Sequence, residues 1–293
     1  MTYLWIILAI LIVLLLITLY LTFLSPFKKN IGLSPQDVSV IVGNVAPTIV
    51  SITPISNVIL NSGTTKDVTV IFTAEDLNGA SDLNDATASV SFTKSGEATR
   101  TSVPITGCSA GAPSGNQKTY TCTVTMQYYD GFGTWNVQVS IQDQATSTTQ
   151  LSSTFDVDQL FSTSNTASIS FGTVSPGQND IISLTDTTIT NNGNVIGALK
   201  VLANNLKGVT NPLELIPASN FNAAGSSQAA TVCTTGTALA NALSTTITSS
   251  NLPRGQSGSN TETLRYCLDV PGGISTQTYS TTAPGGIQWA INL

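Results

Sequence analysis

Histidine is absent from the 293-residue sequence. Without histidine the chain cannot form a Ser-His-Asp or Cys-His catalytic group, and it lacks the ligand found in most zinc sites. It also lacks the side chain that most often acts as a general acid or base near neutral pH. No pair of carboxylates has a sequence setting that suggests more than a loop. We therefore predict that the protein is not an enzyme.

Charged residues are also scarce, at 9% of the sequence, whereas about 25% is usual. Ser, Thr, Asn, Gln and Gly take the surface positions that Lys and Glu usually hold, which is typical of an extracellular protein. The net charge of −6 provides no positive field to attract phosphates. Beyond the adjacent Lys28 and Lys29 there is no basic cluster. The composition therefore argues against nucleic-acid binding.

A long hydrophobic run is present at the N-terminus. It extends from Tyr3 to Leu24 without a charge and is interrupted only by two threonines. A helix of this length, with a rise of about 1.5 Å per residue, measures about 33 Å and is long enough to cross a membrane. Pro26 is expected to end it, because proline has no amide hydrogen to donate. Residues 1–26 are thus predicted to be a transmembrane helix or the core helix of a filament.

Retention of this helix is favoured over its removal as a signal sequence. No basic residue precedes the hydrophobic run, and residues 25–30 (SPFKKN) lack a small-residue cleavage pattern. Lys28 and Lys29 conflict with an outward orientation, because basic residues favour the cytoplasmic side of a membrane. The domains that follow have extracellular character. We therefore predict an extracellular, cell-surface protein that is attached through its N-terminal helix.

Strand patterns dominate between residues 47 and 160. In residues 134–142 (TWNVQVSIQ), apolar and polar residues alternate as in a half-buried antiparallel strand. Further strand candidates are 48–52, 67–74, 86–92, 99–105, 118–126 and 150–157. About seven strands separated by turns is typical of an immunoglobulin-like sandwich. The predicted fold class is all-β, with an Ig-like β-sandwich over residues 47–160.

A second β-sandwich is predicted over residues 161–293. Its strand candidates are 168–174, 180–190, 195–203, 244–250, 261–270, 276–282 and 286–293. The sequence NNGN at 191–194 is a turn signal between two of them. Residues 206–242 are poorly patterned, and the stretch ATVCTTGTALANAL at 230–243 indicates one short helix.

Two cysteines fall in each predicted domain. Four cysteines permit three pairings, and this distribution favours Cys108 with Cys122 and Cys233 with Cys267. Disulfides indicate an oxidising exterior. One alternative is that the cysteines are free and buried. The other is a zinc site, for which thiolates from two separate domains would have to meet.

Several strings resemble the Ig-like modules of archaeal cell-surface proteins. They are VAPTIVSITP at 45–54, TKDVTVIFTAEDLNGASDLNDATASVSFTKSGE at 65–97, YTCTVTMQYYDGFGTWNVQVSIQD at 120–143, SISFGTVSPGQND at 168–180 and ITNNGNVIGALKV at 189–201. The resemblance covers residues 46–200 well and implies a secreted structural or adhesive module without a catalytic site. One N-terminal hydrophobic helix followed by a β-sandwich is also similar to archaeal type IV pilins, although no basic, cleavable leader precedes the helix here.

The loop AEDLNGASDLND at 74–85 is a candidate calcium site. Calcium takes six to eight oxygen ligands. The loop offers Glu75, Asp76, Asn78, Asp82, Asn84 and Asp85, with Asp143 at the end of a neighbouring predicted strand. The spacing is not that of an EF-hand, and calcium bound here is predicted to be structural. The alternative is that these Asp and Asn side chains form hydrogen bonds within the turns themselves.

Residues 27–46 are predicted to be a linker. It includes a short strand-forming segment, DVSVIVGNV, at 37–45. This segment either adds a strand to its own sandwich or pairs with the open sheet edge of a neighbouring subunit, because unpaired edges are templates for strand addition.

These features predict a structural protein whose main partner is itself. The predicted function is that of a repeating subunit of an extracellular, pilus-like filament, with hydrophobic helices in the core and β-sandwiches outside. The alternative is a membrane-anchored adhesion or S-layer-type envelope protein in which the same helix lies in lipid. Structural calcium is the one cofactor that the sequence suggests.

Overall fold

The computed structural model describes residues 2–23, 36–103, 106–166 and 168–293. Two compact units are present, residues 1–43 and residues 44–293. The predicted end of the helix at Leu24 and Pro26, and the pair Lys28 and Lys29, lie outside the described residues.

The first unit contains helix α1, Thr2–Phe23, which confirms the predicted N-terminal helix. Leu and Ile are its commonest residues, and their helix propensities are high and intermediate, respectively. The hydroxyl of Thr18 donates to the carbonyl of Leu15 at 2.9 Å, and that of Thr22 donates to the carbonyl of Thr18 at 2.9 Å. Both polar groups are therefore satisfied within the helix, and its outer surface is left apolar.

Among its described residues, the first part of the second unit contains eight strands. They are β1 Thr48–Ile52, β2 Lys66–Glu75, β3 Leu83–Thr93, β4 Arg100–Thr101, β5 Cys108–Ala110, β6 Gln117–Met126, β7 Gly133–Asp143 and β8 Thr148–Val157. They form two antiparallel four-stranded sheets, ordered β1-β2-β6-β5 and β4-β3-β7-β8. We call this pair of sheets the first sandwich.

The strand order of the first sandwich is that of an immunoglobulin-type fold. When β1 to β8 are read as strands A, B, C, C′, D, E, F and G, one sheet becomes A-B-E-D and the other C′-C-F-G. The disulfide differs from that of antibody domains, in which it joins strands B and F of opposite sheets. Here it joins Cys108 of β5 to Cys122 of β6, which are neighbours in one sheet.

The core of the first sandwich follows the two-residue alternation of its strands. Along β7, Trp135, Val137, Val139 and Ile141 are fully buried, while the residues between them face outward. The same pattern in β2 and β6 stacks Phe72 against Tyr120, with ring centroids 5.1 Å apart. Each such side chain contributes about 1.5–3 kcal/mol when it is removed from water. The alternation seen in the sequence therefore defines the two inner faces.

One strand prediction in this sandwich was too long. Residues 99–105 were expected to form a strand, but β4 contains only Arg100 and Thr101, and Pro104 and Ile105 lie outside the described residues. Next to the end of β4, the amide of Val90 donates to the side-chain hydroxyl of Ser102 at 3.1 Å, where a regular sheet ladder would use a backbone carbonyl. The short edge strand β5 was not predicted, because its three residues show no alternation.

Twelve shorter strands follow in the part of the chain described after β8. They are β9 Thr163–Asn165, β10 Ile181–Ile182, β11 Thr187–Asn191, β12 Lys200–Ala203, β13 Leu206–Gly208, β14 Leu215–Ile216, β15 Phe221–Gly225, β16 Thr237–Ala238, β17 Leu243–Thr246, β18 Thr261–Leu268, β19 Tyr279–Ser280 and β20 Ala290–Asn292. They form one six-stranded sheet around β15, β18 and β11 and two three-stranded sheets centred on β12 and β13. We call them the second β-region.

The sheets of the second β-region share one hydrophobic core. Its largest buried side chains include Tyr266, Phe221 and Leu199. The core of the first sandwich ends at Leu160 and the second core begins at Ile169, and both cores lie within the single compact unit of residues 44–293.

The strand predicted at 168–174 is not formed. Ile169, Phe171 and Val174 still pack against the second core, which explains the apolar alternation in the sequence. The backbone, however, adopts positive φ angles at Ser168 (75°) and Gly172 (70°). Such angles interrupt the extended conformation that a sheet ladder requires. The segment therefore covers the core as an irregular chain.

Both predicted disulfides are confirmed. Cys108 pairs with Cys122, and Cys233 pairs with Cys267. None of the cysteines is free, so the free-thiol and zinc alternatives are excluded. Cys233 lies in the short helix α2, Val232–Thr235, which confirms the short helix expected in the poorly patterned region. The disulfide fastens this helix to β18.

Polar contacts that are partly or fully buried join the first sandwich to the second β-region. Arg254 forms an ion pair with Glu97 and donates to the carbonyl of Tyr129 at 2.6 Å. The hydroxyl of Tyr128 accepts a hydrogen bond from Asn260 at 3.2 Å and donates to a backbone carbonyl of the second β-region. We call these contacts the junction. They explain why residues 44–293 form one compact unit.

A further group of hydrogen bonds, centred on Glu214, connects two loops of the second β-region. The carboxylate of Glu214 accepts hydrogen bonds from the hydroxyl of Ser275 at 2.6 Å, from its amide at 2.9 Å and from the hydroxyl of Tyr279 at 2.7 Å. Gln277 donates a further bond at 3.1 Å. These bonds, with those from Ser275 first, lower the pKa of Glu214 to about 2.

Replacement of Glu214 by Gln should lower the melting temperature at neutral pH and weaken its acid dependence. A carboxyl group with a lowered pKa stabilises the fold above its unfolded-state value, and this contribution is lost as the pH falls towards the folded-state value. The melting temperatures of the wild type and Glu214→Gln should therefore converge between about pH 4.5 and pH 2. Thermal unfolding of the full chain in detergent measures this effect, and a constant difference across that range would contradict it.

Candidate metal centre

Three carboxylates meet at one end of the first sandwich. Asp76 follows the last residue of β2, Asp82 immediately precedes β3, and Asp143 is the last residue of β7. One carboxylate oxygen of each lies within 4.8 Å of the others. Asp76 and Asp143 are buried, and Asp82 is half-buried. We call Asp76, Asp82 and Asp143 the carboxylate cluster.

The loop between β2 and β3 brings Asp76 and Asp82 together by turning twice. The amide of Gly79 donates to the carbonyl of Asp76 at 2.9 Å, and the amide of Asp82 donates to the carbonyl of Gly79 at 2.9 Å. Gly79 has a φ of 115°, a conformation that residues with a Cβ atom rarely adopt. The second turn is the 3₁₀-helix Ala80–Asp82, so the loop curls back towards its own beginning.

Hydrogen bonds also tie this loop to the turn between β7 and β8. The amide of Gln144 donates to the carbonyl of Asp82 at 2.8 Å. In the turn, the amide of Ser147 donates to Oδ1 of Asp143 at 2.7 Å, and Thr146 has a positive φ of 69°. The side-chain amide of Asn44 donates to Oδ2 of Asp143 at 2.8 Å. These bonds, with that from Asn44 first, lower the pKa of Asp143.

Asp76 is the least satisfied member of the carboxylate cluster. Its Oδ1 accepts the amide of Asn78 at 2.8 Å. Its Oδ2 is buried and has no hydrogen-bond partner among the described residues. Burial of a carboxylate oxygen without a partner costs free energy. No ion pair among the described residues involves the cluster. The four that are present use the carboxylates of Asp130, Asp85, Glu97 and Asp186.

The donor set of this site fits a hard divalent cation. It presents oxygen atoms from three carboxylates, and calcium is bound in proteins by carboxylate, amide and carbonyl oxygens together with water. Asn44 and Asn78 lie beside the cluster, because the side-chain amide of Asn44 donates to Asp143 and the backbone amide of Asn78 donates to Asp76. Asp76, Asp82 and Asp143 would be the direct ligands, and the amides would orient them or complete the shell.

The structure brings together only part of the predicted set. Asp76 and Asp82 converge, and Asp143 joins them from the neighbouring strand. Glu75 pairs within the sheet with Thr48 and Gln117 and is not in the cluster.

Two other residues of the predicted loop have different roles. Asp85 accepts the hydroxyl of Tyr120 at 2.7 Å and forms an ion pair with Lys118 at 3.0 Å. Asn84 pairs with Gln142 between β3 and β7. From the sequence alone, Asp143 could be connected to the loop only through the predicted strand end.

A second group of potential ligands does not fit a metal. Asp180 lies close to Cys233 and Cys267. These two sulfur atoms form a disulfide, whereas a metal is bound by the thiolate. The carboxylate cluster is therefore the candidate site.

The aromatic residues between positions 128 and 135 could either form a surface for stacking against a sugar or belong to the core, and they are largely internal. Trp135 is fully buried, and its indole nitrogen donates to the carbonyl of Gly131 at 2.8 Å. Tyr128 belongs to the junction, and Tyr129 packs edge-on against it with centroids 5.0 Å apart. Phe132 is 42% exposed. One exposed ring does not make a stacking surface for a sugar.

Comparisons with known proteins give no information about this site. No family model and no curated protein matches this chain. Among solved structures, the chain is similar to the dimeric latent PorU from Porphyromonas gingivalis, with 12% sequence identity and a TM-score of 0.28. The match covers 81% of this chain and 20% of the PorU chain. This TM-score is too low to carry a functional argument.

Asp85 should stabilise the sandwich through Tyr120 and should not contribute to cation binding. We expect Asp85→Ala to lower the free energy of unfolding by about 1–3 kcal/mol, because the buried hydroxyl of Tyr120 loses its acceptor. In a Tyr120→Phe background the same substitution should cost clearly less. A double-mutant cycle by urea unfolding of the full chain in detergent measures the difference. Equal costs in both backgrounds would show that this hydrogen bond does not stabilise the fold.

Proposed function

We propose that the protein is the structural subunit of an extracellular filament, with the α1 helices packed in its core and the β-rich unit outside. The observation that carries this proposal is the surface of α1. Its large hydrophobic side chains from Tyr3 to Leu21 are 49–82% exposed, and the span Tyr3–Thr22 contains no buried residue and has a mean hydropathy of 3.1.

This surface requires a cover. Apolar side chains occur on every side of α1, and a helix that is hydrophobic all round is stable only when it is surrounded by apolar material. Each Leu or Ile that is removed from water gains about 1.5–3 kcal/mol. The cover is either other α1 helices or lipid. Sister helices around one another would give a continuous core, from which the β-rich units project.

The β-rich unit supports an extracellular location. Two disulfides indicate an oxidising compartment, and only 9% of the residues are charged. The low-charge Ser/Thr-rich surface suits a protein that contacts copies of itself, because few charges have to be desolvated on association. The resemblance to archaeal surface modules agrees with this proposal and remains a prediction.

A membrane-anchored adhesion or envelope protein is the second candidate. It is favoured by the length of α1, whose 22 residues are sufficient to span about 30 Å of hydrocarbon. In that case α1 is covered by lipid and the β-rich unit is displayed singly. The two candidates differ in what surrounds α1, which a fractionation experiment can determine.

The segment before the first sandwich supports self-association. Residues 36–47 form neither helix nor strand, and Val38, Val40, Ile41 and Val42 are 80–97% exposed. The predicted extra strand of the chain's own sandwich is thus not formed. Such an apolar β-forming segment is suited to strand addition at an open sheet edge. We propose that residues 38–42 of one subunit pair with the sheet edge of the next, while Asn44 and Val45 remain bound to their own sandwich.

The acceptor that fits this segment is β8, the last strand of its sheet. Only the C-terminal end of β8 has a further partner among the described residues, where Val157 forms a bridge to Val58. Along the remaining edge, Leu151 is 38% exposed although it shares the inward face of Phe155. An added strand would cover Leu151 with a valine and would pair the open backbone groups.

Filament subunits should be released from cells by shear without detergent and should retain α1. We expect mass spectrometry of the sheared pellet to detect residues 2–23, and electron microscopy of the same pellet to show filaments. Retention of α1 outside a membrane follows because sister helices replace lipid around it. Recovery of α1 peptides only after detergent extraction would contradict the filament and support the anchored protein.

Introduction of charge into the exposed segment should prevent assembly without unfolding the subunit. We expect the double variant Val40→Asp and Val42→Asp to remain folded but to form no filaments, because the two carboxylates would be buried against the neighbouring sheet. Leu213→Asp is the matched control, since Leu213 is 91% exposed elsewhere on the chain. Normal filaments from the double variant, seen by electron microscopy, would refute strand addition by this segment.

A further inference from the structure

We infer that a calcium ion bound by the carboxylate cluster fixes the point at which the chain enters the first sandwich. This inference does not depend on whether α1 lies in a filament or in lipid. It concerns Asn44 and Val45, which directly precede the first sandwich and are hydrogen-bonded to residues of the cluster or its loop.

The first step of the argument is the uncompensated charge of the cluster. Three carboxylate oxygens lie within 4.8 Å of one another, and Asp76 and Asp143 are 1% and 0% exposed. Like charges at this spacing repel each other, most strongly where water is excluded. Oδ2 of Asp76 is buried without a partner in the described part of the chain. A bound cation would neutralise the repulsion and give this oxygen a ligand bond.

The second step concerns the kind of cation. Oxygens that are at most 4.8 Å apart can share a central ion at about 2.3–2.6 Å, which is the usual Ca–O distance. Magnesium requires near-ideal octahedral ligands at about 2.0–2.1 Å and retains most of its water. The cluster is assembled from one loop and a strand end, and calcium tolerates such irregular geometry. The site is thus suited to calcium.

The third step connects the cluster to the entering chain. The side-chain amide of Asn44 donates to Oδ2 of Asp143 at 2.8 Å. The amide of Val45 donates to the side-chain oxygen of Asn78 at 2.7 Å, and the amide of Asn78 donates to Oδ1 of Asp76 at 2.8 Å. An ion that holds Asp76 and Asp143 in place therefore also holds Asn44 and Val45. Without the ion, repulsion within the cluster opposes both contacts.

The test uses the full chain in detergent after treatment with a chelator. Addition of calcium chloride should give saturable binding by isothermal titration calorimetry, in the range of about 0.1–1 mM that extracellular calcium sites show. At a hundredfold excess over the dissociation constant the melting temperature should rise by about 5–10 °C. Hydrogen exchange at the amide of Val45 should slow in parallel.

Two variants separate a calcium site from general screening of charge. Asp76→Asn should abolish the response to calcium, and in chelator it should melt at a higher temperature than the wild type because one repelling charge is removed. Glu75→Gln is the matched control, since it removes the neighbouring carboxylate outside the cluster and should keep the full response.

Three results would overturn the inference. An equal rise in melting temperature with magnesium chloride, or with sodium chloride at matched ionic strength, would indicate screening in place of a calcium site. The same calcium response in Asp76→Asn would exclude the cluster as the binding site. Calcium binding without slower exchange at Val45 would show that the ion does not fix the entering chain.

Discussion

The apolar surface of α1 is the constraint on which the biology of this chain depends. Its first and second turns already carry Tyr3, Leu4, Trp5 and Ile6, and no polar face follows. Exposure of such a helix to water is strongly unfavourable, so it requires apolar surroundings. The proposal that copies of α1 or lipid cover this helix rests on that requirement. The β-rich unit, with its own buried cores, folds around different contacts and has no such requirement.

The first sandwich was predictable because its strands are long and half-buried. In β2, β6 and β7, ten or eleven residues alternate between core and solvent, so the period is repeated several times and cannot be confused with that of a helix. The second β-region was less predictable because most of its strands contain two to five residues. In that region, packing of side chains such as Phe171 does not require a strand, and groups of hydrogen bonds such as that of Glu214 are invisible in the sequence pattern.

The candidate metal centre was predictable only in part, for a related reason. The loop containing Asp76 and Asp82 is conspicuous in the sequence because it is acidic and lies between two strands. Which of its carboxylates converge depends on the two turns around Gly79, and these direct Asp85 towards Tyr120 instead. Asp143 is about sixty positions further along the chain and reaches the loop only through the register of β3 with β7. Proximity of this kind is a property of the assembled sandwich.

The junction has a consequence for the order in which the chain folds. Tyr128 and Asn260 are 132 positions apart, and Arg254 and Tyr129 are 125 apart, so these contacts can form only after most of the chain has been synthesised. Contacts between distant positions form slowly, because a long loop must be closed first. The first sandwich, complete at β8, can collapse while the second β-region is still emerging. In that order of folding, Glu97 and Tyr128 would be in place before the later part of the chain packs against them.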